Sequence, residues 1–308
     1  MGPHTNTAEL EIRRAQPAEL ARVRRLAPDL YKAGSAPDRV IVAVRSAASE
    51  LIGIAAIAWR NWGQPPGFPV YVHVTDEWRC KGVGRALVSA AARECRSDID
   101  RFYGWSSVDE PSAAWLFARA VGFHVHRRTL HFEADVLTFY SMVNSIHERL
   151  SKHARIPPAA KIVTLASVPP APVARLLSET FGTPYERVLA NVEGKGPGAH
   201  DAERSVVLIV NGEVQGALLY RWADGTPEID ANVVAAHLRG GWANVVLLRH
   251  ATQNGLAAGA RRFRFLCDDT IADTVNLARR ANARVIRTAI EFSCALDDLL
   301  QNPRKRRE

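Results

Sequence analysis

Short apolar runs bounded by Gly, Pro and charged residues recur along the chain. They predict strands at 11–15, 39–45, 51–59, 70–74 and 101–107. Between them, segments with helical spacing of apolar positions predict helices at 17–27, 82–96 and 111–121, with Pro17 and Pro111 in their first turns. The stretch N-W-G-Q-P-P-G-F-P (61–69) carries too much Pro and Gly for regular structure and reads as a loop. F-H-V-H-R-R-T-L-H-F-E-A-D (123–135) closes this set with a strand or a pair of strands, a helix follows at 136–153, and Pro157 and Pro158 mark a linker. The same order of signals then returns. A strand at 161–166 and a helix after Pro169 and Pro170 precede strands at 205–211, 214–222 and 228–234. A helix at 241–258, a strand at 262–266, a helix at 270–281 and a strand at 285–293 complete the series.

Sliding residues 74–132 along by 160 positions without a gap gives eleven identities. They include Val74/Val234, Arg79/Arg239, Leu87/Leu247, Ala118/Ala278 and Phe132/Phe292. A looser match sets E-L-I-G (50–53) beside E-V-Q-G (213–216), and Trp59 beside Trp222. One constant offset through strand, helix, strand, helix and strand predicts a tandem duplication. The expected organisation is a first domain at 1–135, a linker helix and Pro-containing linker at 136–160, a second domain at 161–298 and a basic tail at 299–308.

Length agrees: 308 residues suit two domains of ordinary size. With 47% hydrophobic and 23% charged residues the composition is that of a globular protein, which excludes wholesale disorder and fibrous repeats. No apolar run is long enough to cross a membrane, and the first residues lack the apolar core of a secretory signal. Cys80, Cys95, Cys267 and Cys294 are far apart, which predicts reduced thiols in a cytoplasmic protein rather than a disulfide framework or a zinc site. The net charge of +8 divides into +3 for residues 1–150 and +5 for 151–308, and the tail 304–308 supplies +3 of the latter. Nucleic-acid binders concentrate charge on one face, so so diffuse an excess argues for a small anionic ligand instead.

The sharpest chemical signal is R-C-K-G-V-G-R-A-L (79–87), directly after the strand V-Y-V-H-V and opening a helix. Gly82 and Gly84 would let a ligand approach the backbone, the first-turn N–H groups of a helix have no intrahelical partners, and Arg79, Lys81 and Arg85 add charge. The loop is neither G-x-x-x-x-G-K-[ST] nor G-x-G-x-x-G, which excludes a P-loop and a dinucleotide fingerprint. An ordinary strand-to-helix turn with solvated basic side chains requires the same residues, so the local sequence leaves both readings open.

R-x-x-G-x-G after a strand resembles the pyrophosphate-binding loop of the GNAT acyltransferases. A-A-W-L-F-A-R-A-V-G-F (113–123), about 40 residues on, resembles that family's second motif, a helix ending in Gly-Phe. The resemblance implies an α/β fold of two tandem domains, each a mixed, mostly antiparallel sheet splayed between its fourth and fifth strands. Acyl-CoA, most simply acetyl-CoA, would sit in the splay. Its pyrophosphate would rest on the amides of Arg79, Cys80, Lys81, Gly82, Val83 and Gly84 with Arg85 adding charge beside them, and its pantetheine along Val72 and Val74. At the 160 offset Gly82 becomes Trp242, Gly84 becomes Asn244 and Gly122-Phe123 becomes Asn282-Ala283, so the second domain is expected to keep the plan and lose the acyl-CoA loop.

Amine acylation needs a neutral amine, a polarised carbonyl and a proton for the leaving thiolate. The family's arrangement puts a Tyr on the Gly-Phe helix. Here the position is Ala118, no Tyr occurs in 111–122, and no Asp or Glu lies in 68–74. What the strand offers is Tyr71 and His73, alternating with Val70, Val72 and Val74, and these are the candidate catalytic residues. His124, His126 and His131 read as decoration of the terminal strands, and no metal is expected. Trp59 and Trp62 border the 61–69 loop and could line an aromatic acceptor pocket. The expected function is transfer of an acyl group from acyl-CoA to an amine of a small molecule. Two alternatives stand beside it: transfer from a phosphopantetheinyl carrier protein, and a non-catalytic acyl-CoA sensor. No nucleic-acid or membrane partner is expected.

Overall fold

The computed structural model describes residues 10–32, 37–46, 49–58, 66–196, 198–223 and 225–300. They form two compact units that do not follow the two halves of the sequence. Unit 1 holds residues up to Arg128 and from Ala289 onward; unit 2 holds Thr129–Thr288. The joins fall at 128/129 and 288/289, residues 136–160 lie inside unit 2, and the chain from Ala289 onward returns to unit 1.

Unit 1 begins with β1 (Leu10–Arg14), α1 (Leu20–Leu26), the short α2 (Asp29–Lys32), β2 (Arg39–Arg45), β3 (Glu50–Ile57) and β4 (Phe68–Val74). There follow α3 (Val83–Cys95), β5 (Arg101–Gly104), β6 (Val108–Asp109) and α4 (Ala113–Val121), and the chain leaves the unit within β7 (His124–Asp135). β1 to β4 form an antiparallel meander. β4 then runs parallel to β5, and the edge beyond β5 is taken by β13 (Arg284–Ala295), with Ser293 opposite Tyr103 and Cys294 opposite Phe102. Ile290, Phe292 and Cys294 enter the core between the sheet and α3, beside Ile52, Leu87 and Phe102, and α10 (Leu296–Leu300) adds Leu296 and Leu299. On the opposite face α1, its C-cap Ala27 and α2 place Val23, Ala27 and Leu30 against Val42, Ile54 and Ala56.

Unit 2 repeats this plan. α5 (Val136–Lys152) and β8 (Ala160–Thr164) precede α6 (Pro170–Phe181), α7 (Tyr185–Val192), β9 (Val206–Val210), β10 (Glu213–Ala223) and β11 (Thr226–Val234). α8 (Trp242–Ala257), β12 (Arg262–Asp268) and α9 (Ala272–Arg280) complete it. β8 to β11 are antiparallel, β11 and β12 parallel, and the edge beyond β12 is taken by β7, with Phe132 opposite Phe265. The segment expected to be a linker helix is thus a core element: Val136, Phe139 and Val143 of α5 are buried with Phe263, Phe265 and Leu247.

Each unit is completed by the last strand of the other half. β7 and β13 begin and end at the same positions under the 160-residue shift and share Val125/Val285, Arg127/Arg287 and Phe132/Phe292. Connectivity along the chain therefore cannot say which edge each one joins. The E-L-I-G/E-V-Q-G match has a plain cause. A Cβ on Gly53 would lie 3.0 Å from Leu87 Cδ1 and 3.1 Å from the His73 oxygen; on Gly216 it would lie 3.0 Å from Leu247 Cδ1 and 3.1 Å from the Val233 oxygen. Both strands pass directly beneath a helix with no room for a side chain.

Candidate active site

β4 and β5 pair only at Phe68/Phe102, Pro69/Tyr103 and Val70/Gly104, after which they part. The Val70 oxygen accepts from the Trp105 N–H at 3.0 Å, so by the alternation of a strand Val72 and Val74 turn their N–H and C=O groups into the opening. This is the splay expected between the fourth and fifth strands. Thr75 leaves the strand, Asp76–Trp78 make a 3₁₀ turn, and α3 begins at Val83 facing the mouth of the split.

The turn between them needs two left-handed residues, Cys80 at φ +58° and Gly82 at φ +83°. Gly82 is the N-cap of α3, and a Cβ on it would meet nothing within 4 Å. Its side of the helix end is open, and the first bond of the helix runs from Ala86 N–H to the Gly82 oxygen, leaving the earlier first-turn amides outside the helical ladder. That is a backbone cradle suited to phosphate oxygens. Gly84 also has a packing task. A Cβ there would lie 2.7 Å from Phe117 Cε2, so this glycine lets α4 pack onto α3.

Of the basic side chains around the loop, Arg79 pairs with Asp76 at 2.8 Å and donates from Nε to the Val74 oxygen at 3.2 Å, which ties the loop to the end of β4. Lys81 lies over the Trp78 ring, 5.0 Å from its centroid. Arg85, expected among the ligand-binding residues, donates to the Ala120 oxygen near the end of α4. Cys80 is exposed.

On β4 the side chains divide as the alternation requires. Val70 is buried and Val72 and Val74 are partly buried under α3, while Tyr71 packs on the α1 side. Tyr71 and His73 therefore share the opposite face, both half-buried. Trp105 meets Tyr71 edge-on at 6.4 Å. Burial, then the charge of Arg79, lowers the His73 pKa against the opposing pull of Asp76 and Asp29, so the imidazole is neutral at pH 7. Burial, then the Asp29 charge, raises the Tyr71 pKa and keeps its hydroxyl protonated. Asp29, at the start of α2, is a carboxylate the sequence reading missed. It follows Pro28, which the sequence marks only as the end of a helix, and its influence on both β4 side chains exists only once α2 is laid on the sheet.

Ala118 is partly buried against the α3 core. His126 packs edge-on against Tyr103 at 5.0 Å. Among the described residues no group of three or more His, Cys, Asp and Glu is arranged to hold a metal ion, and no helix is long and apolar enough to cross a membrane. Trp59 and Trp62, the aromatic pocket residues suggested by the sequence, lie outside the described residues, as does the tail.

In unit 2, β11 and β12 pair only at Glu228/Arg264 and Ile229/Phe265 before parting, so this sheet is split too. Its loop differs. Gly240 at φ +69° matches Cys80, but α8 begins at once, with Gly241 as N-cap at φ −110° and Trp242 packed against the α8 core. The second left-handed position, the one that opens the cradle in unit 1, is missing.

A parallel strand pair that parts beside the N-terminus of a helix is the arrangement of the acetyltransferase fold. Residues 9–123 match the family model described as the acetyltransferase (GNAT) family, which places a GNAT domain there. No curated protein sequence matches the chain. Among solved structures, a GCN5-related N-acetyltransferase from Sphaerobacter thermophilus is similar at 18% identity and TM-score 0.54, over 94% of this chain and 96% of that one. A tandem GNAT protein from the clavulanic acid biosynthesis pathway aligns at 16% identity and TM-score 0.54, over 94% and 99%. A probable N-acyltransferase from Enterococcus faecalis V583 aligns at 11% identity and TM-score 0.56, over 95% and 73%. At these identities the likeness is one of fold, and it extends across both units.

Proposed function

We propose that the protein is an N-acyltransferase that moves an acyl group, most simply acetyl, from acyl-CoA to an amine of a small molecule, with the chemistry in unit 1. The observation that carries this reading is the open, left-handed Gly82 cap at the mouth of the β4/β5 split, present in unit 1 and lost in unit 2. The first-turn amides of α3 receive the pyrophosphate, and the Val72 and Val74 edge of β4 pairs with the pantetheine arm. Bound there, acyl-CoA supplies an activated thioester. His73 and Tyr71 lie on the other face of the same strand with their pKa values pushed apart, and groups so displaced take opposite proton roles. Neutral His73 accepts the proton of the attacking amine, and protonated Tyr71 donates a hydrogen bond.

Ala118 offers no proton to the departing thiolate. A thiol with a pKa of about 8.5 is a tolerable leaving group without one. The same Ala118 supports the second reading, a sensor that binds acyl-CoA without turning it over. Calorimetry with acetyl-CoA and desulfo-CoA, followed by a thiol-release assay against a panel of amines, separates the two. Binding with CoA release supports the enzyme, binding without release under any amine supports the sensor, and no binding removes both.

A further inference from the structure

Among the described residues, four buried side-chain nitrogens have no hydrogen-bond partner, and two of them, His200 Nδ1 and Arg264 Nε, lie in unit 2. Buried polar groups of this kind are rare in native proteins because the lost solvation is not returned. These two flank the point where β11 parts from β12.

His200 follows α7, held by a bond from its N–H to the Asn191 oxygen, and its side chain is only 5% exposed. Its Nδ1 stands 3.8 Å from Asp230 Oδ2, beyond hydrogen-bond reach. Asp230 is the extra residue of a bulge in β11: Ile229 faces Tyr220 and Ala231 faces Leu219, so Asp230 has no register partner on β10. β4 in unit 1 has no such bulge, and bulges are enriched beside functional sites because they re-aim a side chain. Arg221 bridges the two carboxylates of β11, at 3.3 Å from Glu228 and 3.2 Å from Asp230. This end of the face is two carboxylates on one guanidinium, beside an imidazole that burial and the Arg221 charge keep neutral against the pull of Asp230.

The next strand carries the opposite imbalance. Glu228 is the register partner of Arg264 on β12. Arg264 Nε is 3.6 Å from Glu133, which already takes Arg262 at 3.2 Å and Arg284 at 3.0 Å. Three guanidiniums share one carboxylate. Phe263 and Phe265 turn into the α8 core, so Arg264 points to the other face of the sheet. A negative and a positive pole thus stand on neighbouring strands, each with one buried nitrogen that makes no hydrogen bond.

We propose that this face of unit 2 binds a small zwitterion. Its ammonium group is held by Asp230 and Glu228 and donates to His200 Nδ1, and its carboxylate accepts from Arg264 Nε and Arg284. Neighbouring strands are about 4.8 Å apart and diagonal positions about 7 Å, so the two ends of the ligand are separated by roughly a four-carbon chain. The site is independent of the acyl-CoA cradle and does not require unit 1 to be catalytic.

The test is calorimetry on the full chain with 5-aminopentanoate, and with pentanoate and pentylamine as one-ended controls. The expected result is one equivalent of 5-aminopentanoate bound at least tenfold more tightly than either control. Asp230→Asn and Arg264→Met should each weaken it tenfold or more while leaving acetyl-CoA binding unchanged. Absence of saturable binding, or a zwitterion held no more tightly than the one-ended controls, overturns the proposal on the wild-type protein alone, whatever the variants do.

Discussion

Phe102 of β5 and Cys294 of β13 are register partners, both fully buried, although one belongs to the first third of the chain and the other to its final residues. The strand that finishes the core of unit 1 is therefore the last one made. Deleting residues 289–308 removes Ile290, Phe292, Cys294, Leu296 and Leu299 from that core. Losing one large core side chain costs about 2–5 kcal/mol against a typical total stability of 5–15 kcal/mol. A chain ending at 288 should lose the cooperative unfolding of unit 1, read by calorimetry. A fragment 1–135 should expose β5 and fail to stay monomeric.

The two glycines of the loop should respond differently. Gly82→Ala forces a Cβ into a left-handed conformation, costing about 1–2 kcal/mol. It also fills the open side of the cradle, so acetyl-CoA affinity should fall at least tenfold. Gly84→Ala pushes against Phe117 and should cost about 1–3 kcal/mol of overpacking with a smaller effect on binding. Thermal unfolding and calorimetry on the same two variants check the contrast.

His73→Ala should reduce turnover by roughly 10²–10⁴, the usual contribution of a general base, with little change in acetyl-CoA affinity. Because burial lowers the His73 pKa below its usual 6.5, the wild-type rate should rise with pH and level off before neutrality. An unchanged profile in His73→Ala would remove the imidazole from the mechanism and leave Tyr71 or water as the group involved.

Glu19 accepts a bidentate pair of bonds from Arg13, at 2.8 and 2.9 Å, and a third from the Gln16 N–H at 2.8 Å. These hold its carboxyl at about 2 instead of its ordinary 4.5. A carboxyl lowered on folding stabilises the protein fully above its unfolded pKa, and that contribution disappears as the pH falls through the folded value. Glu19→Gln should therefore cost about 1–2 kcal/mol at pH 7, at the lower end for charge-assisted bonds because the pair is partly solvated. The difference from wild type should vanish near pH 2, as chemical denaturation at the two pH values would show.

Local chemistry was sufficient to locate most elements and the loop. β2 spans 39–45 as its sequence predicts, and α3 and α5 fall within a residue or so of expectation, because apolar spacing and Pro or Gly punctuation act over a few residues. The alternation along 70–74 places Tyr71 and His73 on one face for the same reason. α2, α7, β6 and α10 escaped because each is short or weakly patterned and owes its place to packing.

The sequence alone determined that a glycine loop and a helix follow a strand in the first half, and that the second half repeats this order with Trp242 where the first has Gly82. Tertiary structure decided the rest. The missing side chain of Gly84 makes room for Phe117, the Arg85 side chain turns to the end of α4, and Asp29 acts on a strand it is not near in sequence. Above all, β7 and β13 exchange units. Two strands of equal length with apolar residues at 125/285, 130/290, 132/292 and 134/294 look alike in local sequence, so the packing of each against a particular core selects its partner.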